Sequence, residues 1–546
     1  MNTKSILKPS SWFWKSWLVV NLLFLGRLGT AAWANSLVVG VPKVRAVAIE
    51  RQDMFSAEEE SVWLFRLANQ LHLRTKEPVI RRELLLKPGD KYDSALTEES
   101  ERNLRALGIF GSVRVTPHVA SDSAVDLLVE TTDQWTTGGN FAFGGGGGAY
   151  DFAIGFEEQN LLGWGQRLEL VYEESDLRVG RRITFNDRRL FSWPVAFFGI
   201  AESRSDGDYY FIETARPLYS SRDKWGATLR LFTYSDRFRF FDEGEERFFF
   251  RQKTKEASLS VLRSWGKEFK TEVSLGYVIT QNRFAGPYYF SLADTIYSPR
   301  QYGYVSPEEQ VHAVKTGLNW HANRFSEEKY LDNMGVIEDV RNGESVSFEY
   351  VLAPTFLGSS LTRHEVAFST GTTRKDGRQL VQVVAGNRTS FLSKSWEGAF
   401  WQGKLRYYWR WSARQTAAFR FDLSTINGLS RYGQFLLGGE KGLRGYEART
   451  LAGSRMVLST VEQRFFGPNL FSLFGLGGVL FIDFGESWKA NEDFRLDKLK
   501  GNWGAGLRFG LLRSSQFRVL RFDWARPFGH GDWVFTFGTG MSFELE

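Results

Sequence analysis

The sequence predicts a closed, lipid-embedded all-β barrel of about 16 antiparallel strands, preceded by one small α+β domain. Three observations carry that expectation. First, aromatic residues make up 16% of the 546 residues, with 47 Phe, 19 Trp and 19 Tyr beside 54 Gly, while mean hydropathy is only -0.30. A barrel with a ringed outer face and a polar lumen needs both properties; a large soluble all-β protein is the alternative. Second, the chain beyond Gln134 alternates with period two. Third, no segment after the N-terminal region offers 18 uninterrupted apolar residues. The best run, Asn469 to Ile482, is broken by Gly475, Gly477 and Gly478. Without spanning helices, only a closed barrel satisfies every backbone polar group in lipid.

Taken in order, the N-terminus reads as a secretory leader. Lys4, Lys8 and Lys15 form a basic lead, Trp17 to Gly26 a short apolar run, and Ala32-Trp33-Ala34 a cleavage site. Cleavage is expected between Ala34 and Asn35, because the run is too short to span a bilayer, which needs ~20 apolar residues. Residues 35–43 are then a linker, 44–133 the small domain and 134–546 the barrel.

Within the small domain, Val44 to Glu50 alternates as a strand. Ser56 and Glu59 form a capping box ahead of a helix carrying Val62, Phe65, Leu67, Ala68 and Leu71. Val79 to Leu86 is expected as a second strand, Tyr92 to Leu107 as a second helix stopped by Gly108, and Val113 to Val115 with Val125 to Thr131 as the closing strands. The expected order is β-α-β-α-β-β. In the barrel, Val273, Leu275, Tyr277 and Ile279 share one strand face. Leu405, Tyr407, Trp409 and Trp411 alternate with Lys404, Arg406, Tyr408 and Arg410. Ala505, Leu507, Phe509 and Leu511 alternate with Gly504, Gly506, Arg508 and Gly510. The ringed face would meet lipid and the arginine face water. At ~9–11 residues per strand, roughly 16 strands fit, with Asp242 to Lys255 and Tyr297 to Gln310 as outer loops.

Two strings, Ile80 to Asp93 and Asn103 to Val115, resemble the middle and the Leu-Gly-x-Phe turn of a POTRA (polypeptide-transport-associated) domain. Gly438-Gly-Glu-Lys-Gly-Leu-Arg-Gly-Tyr446 is similar to the Arg-Gly-Phe/Tyr motif of the large outer loop in BamA-like, TamA-like and two-partner secretion proteins, the bacterial surface antigen D15 type. Phe481-Ile-Asp-Phe-Gly485 resembles their Phe-x-Asp-x-Gly strand, and Asn160-Leu-Leu-Gly-Trp-Gly165 their turn after the first barrel strand. The resemblance implies an outer-membrane barrel with a periplasmic POTRA domain. It also implies a loop folded into the lumen, tethered by Arg444, Gly445 and Tyr446 to Asp483 and Glu462. Two departures stand out: there is a single POTRA domain, and Phe543 is followed by Glu544-Leu545-Glu546 where such barrels end on an aromatic residue.

A second functional hint is independent of the resemblance. Gly144, Gly145, Gly146, Gly147 and Gly148 lie in or beside the first barrel strand, and Gly538 and Gly540 in the last, which runs from Trp533 to Phe543. Glycine weakens a strand, and these two strands must pair to close the barrel. A thin seam is expected there, acting as a lateral gate; a flexible hinge between the domains and a bend with no opening are the alternatives.

Catalytic strings are lacking. The sequence has no G-x-S-x-G elbow, no Walker loop and no Cys, and its 6 His are scattered; His364-Glu365 begins a zinc-helix motif, but Phe368 stands where the second His belongs. No enzyme, cofactor or metal is expected, and the interspersed charge of +6 gives no reason to expect nucleic-acid binding. The expected partners are outer-membrane lipid and lipopolysaccharide, client polypeptides in unfolded or extended form, and periplasmic accessory proteins. The expected function is insertion or translocation of polypeptides. A dedicated secretion pore and a passive channel or structural surface protein are the alternatives.

Overall fold

The computed structural model describes residues 41–539 apart from 147–148, 291–295, 298–307, 394, 429–432, 440–441, 471–472, 513–518 and 530. The expected leader, with Ala34 and Asn35, lies outside the described residues, as do Gly147, Gly148, Gly540 and Phe543 of the expected seam.

The small domain is a three-stranded sheet of β1 (Lys43–Gln52), β2 (Phe110–Ser121) and β3 (Ala124–Asp133) in the order β1-β3-β2. Three helices, α1 (Trp63–Leu71), α2 (Glu77–Arg81) and α3 (Ser94–Arg105), accompany it. The capping box forms: the Ser56 amide donates to Glu59 Oε2 at 2.9 Å and the Glu59 amide to Ser56 Oγ at 3.4 Å. It opens a short 3-10 turn ahead of α1. Asp93 caps α3 by accepting from the Ala95 amide at 3.0 Å, and Gly108, at φ +72, ends the helical path. The strand expected over Val79 to Leu86 is instead the helix α2 and the turn after it. Pro78 sits in its first turn, where a missing N–H costs nothing. Ile80, in the helix, and Leu84, in the turn after it, are both buried. They join Val79, Leu104, Ile109, Phe110 and Val129 in the core.

From Thr137 on, strands pair antiparallel with their sequence neighbours around one ring. The lipid and lumen faces are those the alternation requires. Val273, Leu275, Tyr277 and Ile279 are exposed on the outside, as are Trp409, Trp411 and Leu507, while Arg406, Tyr408 and Arg508 are buried on the inside. No described helix is long and apolar enough to cross a membrane.

The strand count differs from the expected sixteen. Among the described residues, twenty strands follow one another round the ring, and two short ones, Ile296–Tyr297 and Arg324–Glu328, extend it at the rims. Connections are tighter than expected, so more strands fit the same length. Asp242 to Lys255, expected as an outer loop, is the clearest case. Trp225–Asp242 and Glu245–Trp265 are joined by a two-residue turn, Glu243-Gly244, with φ of 52 and 84. That pairing of positive φ values matches the twist of a hairpin, and Phe240 stacks on Phe248 across it at 4.5 Å. Of the other expected outer loop, residues 298–307 lie outside the described residues, and Glu308 to Gln310 open the strand Glu308–Ala322.

Among the described residues, the ring is completed between its first strand, Thr137–Gly146, and its last, Val534–Thr539, by one paired position, Phe537 opposite Gly145. The last strand shares six paired positions with its other neighbour.

Candidate functional site: the tethered loop and the domain beneath it

The connection between the strands Gln415–Asn427 and Arg455–Leu470 turns back into the lumen. Leu443 anchors it, fully buried against Leu437 and Leu458. Gly442 has φ +112, and a Cβ there would lie 2.8 Å from Leu458 Cδ2. Gly445 is required for a different reason: its φ is ordinary, but a Cβ would sit 2.6 Å from that of Asn502. The loop backbone therefore lies directly on the wall, and the Tyr446 hydroxyl donates to the Gly501 carbonyl at 3.0 Å.

Between those glycines, Arg444 is held on all sides. Its Nε and one terminal nitrogen donate to the two oxygens of Asp483, both at 2.9 Å. The other nitrogen reaches Glu462 at 2.9 Å and Asp523 at 3.3 Å. The guanidinium plane lies over the Phe481 ring, 3.4 Å from its centroid. The planar fork of arginine suits such bidentate contact, and stacking adds to it. The register explains the pocket. Glu462 stands opposite Phe481, and Phe481 opposite Gly504. One row away, Asp483 faces Asn502, and on the other side Val479 faces Gly506, which faces Asp523. Gly504 and Gly506 leave the hollow that the arginine and its carboxylates fill. A Cβ on Gly506 would lie 1.9 Å from Asp523 Oδ1.

The five tether residues expected from the sequence thus meet in one place. Four more belong with them. Asp523 is a third carboxylate, Arg508 binds it at 2.6 Å, and Asn502 donates to Asp483 at 3.0 Å. Arg464 binds Glu462 through Nε at 2.9 Å. Their signal was present as inward parity: each shares a strand face with small or charged residues. Three arginines and three carboxylates balance in charge, as burial of ions demands.

The network continues toward the other mouth of the barrel. Arg464 also meets Asp332 at 3.2 Å, and the Tyr408 hydroxyl donates to both Asp332 oxygens at 2.9 and 3.1 Å. Asp332 belongs to the turn between Arg324–Glu328 and Glu338–Ala353. There Leu331 packs on Leu380, Tyr408 and Ala418, and Met334 on Phe466 and Val519. Both lumen mouths are therefore lined by inward-folded segments joined through ion pairs.

The small domain docks on the rim that carries this second segment. The Asn160 to Gly165 motif makes the first contact, and it follows the second barrel strand, Ala149–Glu158, rather than the first. Buried Asn160 donates to Thr75 Oγ1 at 2.9 Å and accepts from the Gly165 amide at 2.7 Å. Gly163, at φ +77, accepts from the Lys76 amide at 2.9 Å, and Lys76 caps the Trp164 ring at 4.1 Å. Arg189 enters the domain to bind the fully buried Glu83 at 2.9 Å. Along α3, Glu99 takes the Ser221 hydroxyl at 2.7 Å, and Arg105 binds Asp339 and Glu327, both at 2.9 Å. Burial works against the Arg105 charge, and Asp339, Glu327 and Glu101 more than restore it, so its pKa stands above the ordinary value.

Of the expected seam, Gly144, Gly145 and Gly146 lie in the first barrel strand and Gly538 in the last. No group of three or more His, Asp or Glu arranged to hold a metal occurs among the described residues.

Comparison with known proteins agrees with this architecture. An Omp85 superfamily domain matches residues 160–543, and a POTRA domain of the surface antigen variable number repeat type matches residues 70–132. The chain is 28% identical over 144 residues to an outer membrane protein assembly factor BamA of Neorickettsia risticii. It is 30% identical over 181 residues to a putative outer membrane protein assembly factor of Treponema pallidum. These alignments span 25% and 28% of this chain, and 20% of each relative. Among solved structures it is similar to BamA from Haemophilus ducreyi lacking POTRA domains 1-3, at 14% identity and TM-score 0.40, covering 92% of this chain and 85% of that one. It is also similar to CdiB from Acinetobacter baumannii, at 12% identity and TM-score 0.43, covering 92% and 74%. The chain belongs to the Omp85 superfamily and is an outer-membrane protein whose POTRA domain lies in the periplasm.

Proposed function

We propose that the protein inserts or translocates polypeptides at the outer membrane, with the POTRA domain receiving clients and the seam between the first and last strands releasing them. The observation that carries this reading is the seam: among the described residues its strands meet at one paired position, whereas the first strand shares ten with its other neighbour. Three glycines of the first strand sit at that seam, and a backbone without side chains is poorly held. The lumen route is less favoured, because the Arg444 loop and the Asp332 turn both occupy it. An extended client would add to the exposed edge of β2 by strand pairing, since β2 closes one side of the POTRA sheet. The driving force would be the client's own folding and burial in lipid.

The test uses the lack of native cysteine. Gly145→Cys and Phe537→Cys, which face each other across the seam, are oxidised in the protein reconstituted in liposomes, and folding of an added unfolded barrel protein is followed. The locked seam should abolish the acceleration and reduction should restore it. Acceleration undiminished by the lock would refute the seam route. Conductance without any client folding would favour a passive channel.

A further inference from the structure

We propose that the outward wall around Lys253 and Lys255 is a docking site for the phosphorylated headgroup of an outer-leaflet lipid. The strands Trp225–Asp242, Glu245–Trp265 and Phe269–Phe290 form a continuous sheet. On the face shared by Leu229, Leu231, Leu259, Val261, Leu275 and Ile279, all exposed to lipid, the cross-strand rows read as a depth scale. At the periplasmic end Trp225 stands opposite Arg263, whose guanidinium covers its ring at 4.5 Å. Apolar rows follow up to Leu231, Ala257 and Ile279.

Above that level the same face turns basic. Thr233, Lys255 and Gln281 form one row, Ser235, Lys253 and Arg283 the next, and Arg237 and Arg251 the one beyond. Alternation puts Lys253 and Lys255 on the outside with Leu259, while Thr254 between them is buried on the lumen side and bonds Asn282 at 2.8 Å. Lys253, Lys255, Arg251 and Arg283 are exposed. Among the described residues, four acidic groups face this patch. Glu308 meets Arg283 at 3.4 Å and accepts from Gln281, and Glu246 meets Arg237 at 3.2 Å; Asp208 lies beside Ser235 through its amide, and Asp206, which lines the same hollow as Lys253 and Arg283, is held by Arg239 at 2.7 Å.

Depth selects the occupant. A strand rises ~3.4 Å per residue and tilts ~40° in such barrels, so each residue climbs roughly 2.6 Å. Counted from Trp225, the Lys255 row lies about 21 Å up and the Lys253 row about 26 Å, against an apolar band ~25 Å tall. The cations therefore stand where outer-leaflet headgroups begin, above a wall built for acyl chains. One amphiphile satisfies both: an anionic phosphate against Lys253, Lys255 and Arg283, with its tails on Leu259, Leu275 and Ile279.

The test measures retention of bisphosphorylated lipid A, its dephosphorylated form and inorganic phosphate by the purified full chain in detergent, using native mass spectrometry. At ~1 kcal/mol per basic residue near a charged surface, Lys253→Ser with Lys255→Ser should weaken lipid A binding about 30-fold. The lumen-facing pair Lys315→Ser with Lys404→Ser should leave it unchanged. Heat-modified migration on gels verifies that each variant is folded. Equal binding by wild type and the Lys253/Lys255 variant would overturn the site. Equal binding of dephosphorylated lipid A, or retention of inorganic phosphate in preference to lipid, would overturn the assignment of its ligand.

Discussion

Arg444 binds three carboxylates, but they do not depend on it equally. Glu462 has a second cation in Arg464, and Asp523 has one in Arg508. Asp483 has two hydrogen bonds from Arg444 and one from the neutral Asn502. Arg444→Ala therefore strands one buried carboxylate, Asp483, at a cost of ~3–5 kcal/mol. Adding Asp483→Asn removes the stranded charge, so the double variant should recover much of that loss. Two charge-assisted bonds, at ~1.5–3 kcal/mol each, set the expected Arg444–Asp483 coupling at about 3 kcal/mol. The Arg444–Asp523 cycle, resting on one 3.3 Å contact, should give about 1 kcal/mol or less. Equilibrium unfolding by urea in lipid vesicles, followed by tryptophan fluorescence, measures both cycles. Equal couplings, or an Arg444–Asp483 pair additive within ~0.5 kcal/mol, would show that the loop is held by its apolar anchor Leu443 and not by this ion pair.

Other predictions follow from single contacts. Gly506→Ala places a methyl 1.9 Å from Asp523 Oδ1; the carboxylate must leave Arg508, and the barrel should lose ~1–3 kcal/mol in the same urea assay. Arg105→Ala removes pairs to Glu327 and Asp339 that lie partly in water. Barrel stability should change by less than ~1 kcal/mol, yet the POTRA domain should loosen, broadening the distance distribution between spin labels at Val119→Cys and Gly377→Cys.

Much of this was legible in the sequence because a barrel writes its two faces into alternate positions. Val273 to Ile279 and Leu405 to Trp411 read correctly for that reason alone. The tether was legible only through resemblance: nothing in the spacing of Arg444, Glu462 and Asp483 brings them together, since register and loop path decide it. Arg464, Arg508 and Asp523 were hidden for the converse reason. Each is one inward polar residue among many, and only the cross-strand rows show that Gly504 and Gly506 hollow the wall beside them. Val79 to Leu86 misled because adjacent apolar residues suit a buried strand as well as a helix, and Pro78 was the discriminating signal. Strand count failed where turn chemistry was overlooked: Glu243-Gly244 turns a hairpin inside a stretch whose charge suggested a loop.

The two lumen segments should respond to each other, and Glu462 is where that can be tested. One of its oxygens takes Arg444 of the outer loop and the other takes Arg464, which holds Asp332 of the periplasmic turn. The base of that turn is in turn gripped by Arg105 of the POTRA domain. Glu462→Gln removes one charge between two arginines, so both grips weaken together. Asp483→Asn weakens the outer loop alone, because Asp483 does not touch Arg464. Amide hydrogen exchange of residues 330–336 and 442–447 reads the two segments separately. Glu462→Gln should speed exchange in both, and Asp483→Asn only in the second. Faster exchange at 442–447 with none at 330–336 in Glu462→Gln would mean that the two loops are anchored independently, and that a signal from the POTRA domain stops at the periplasmic mouth.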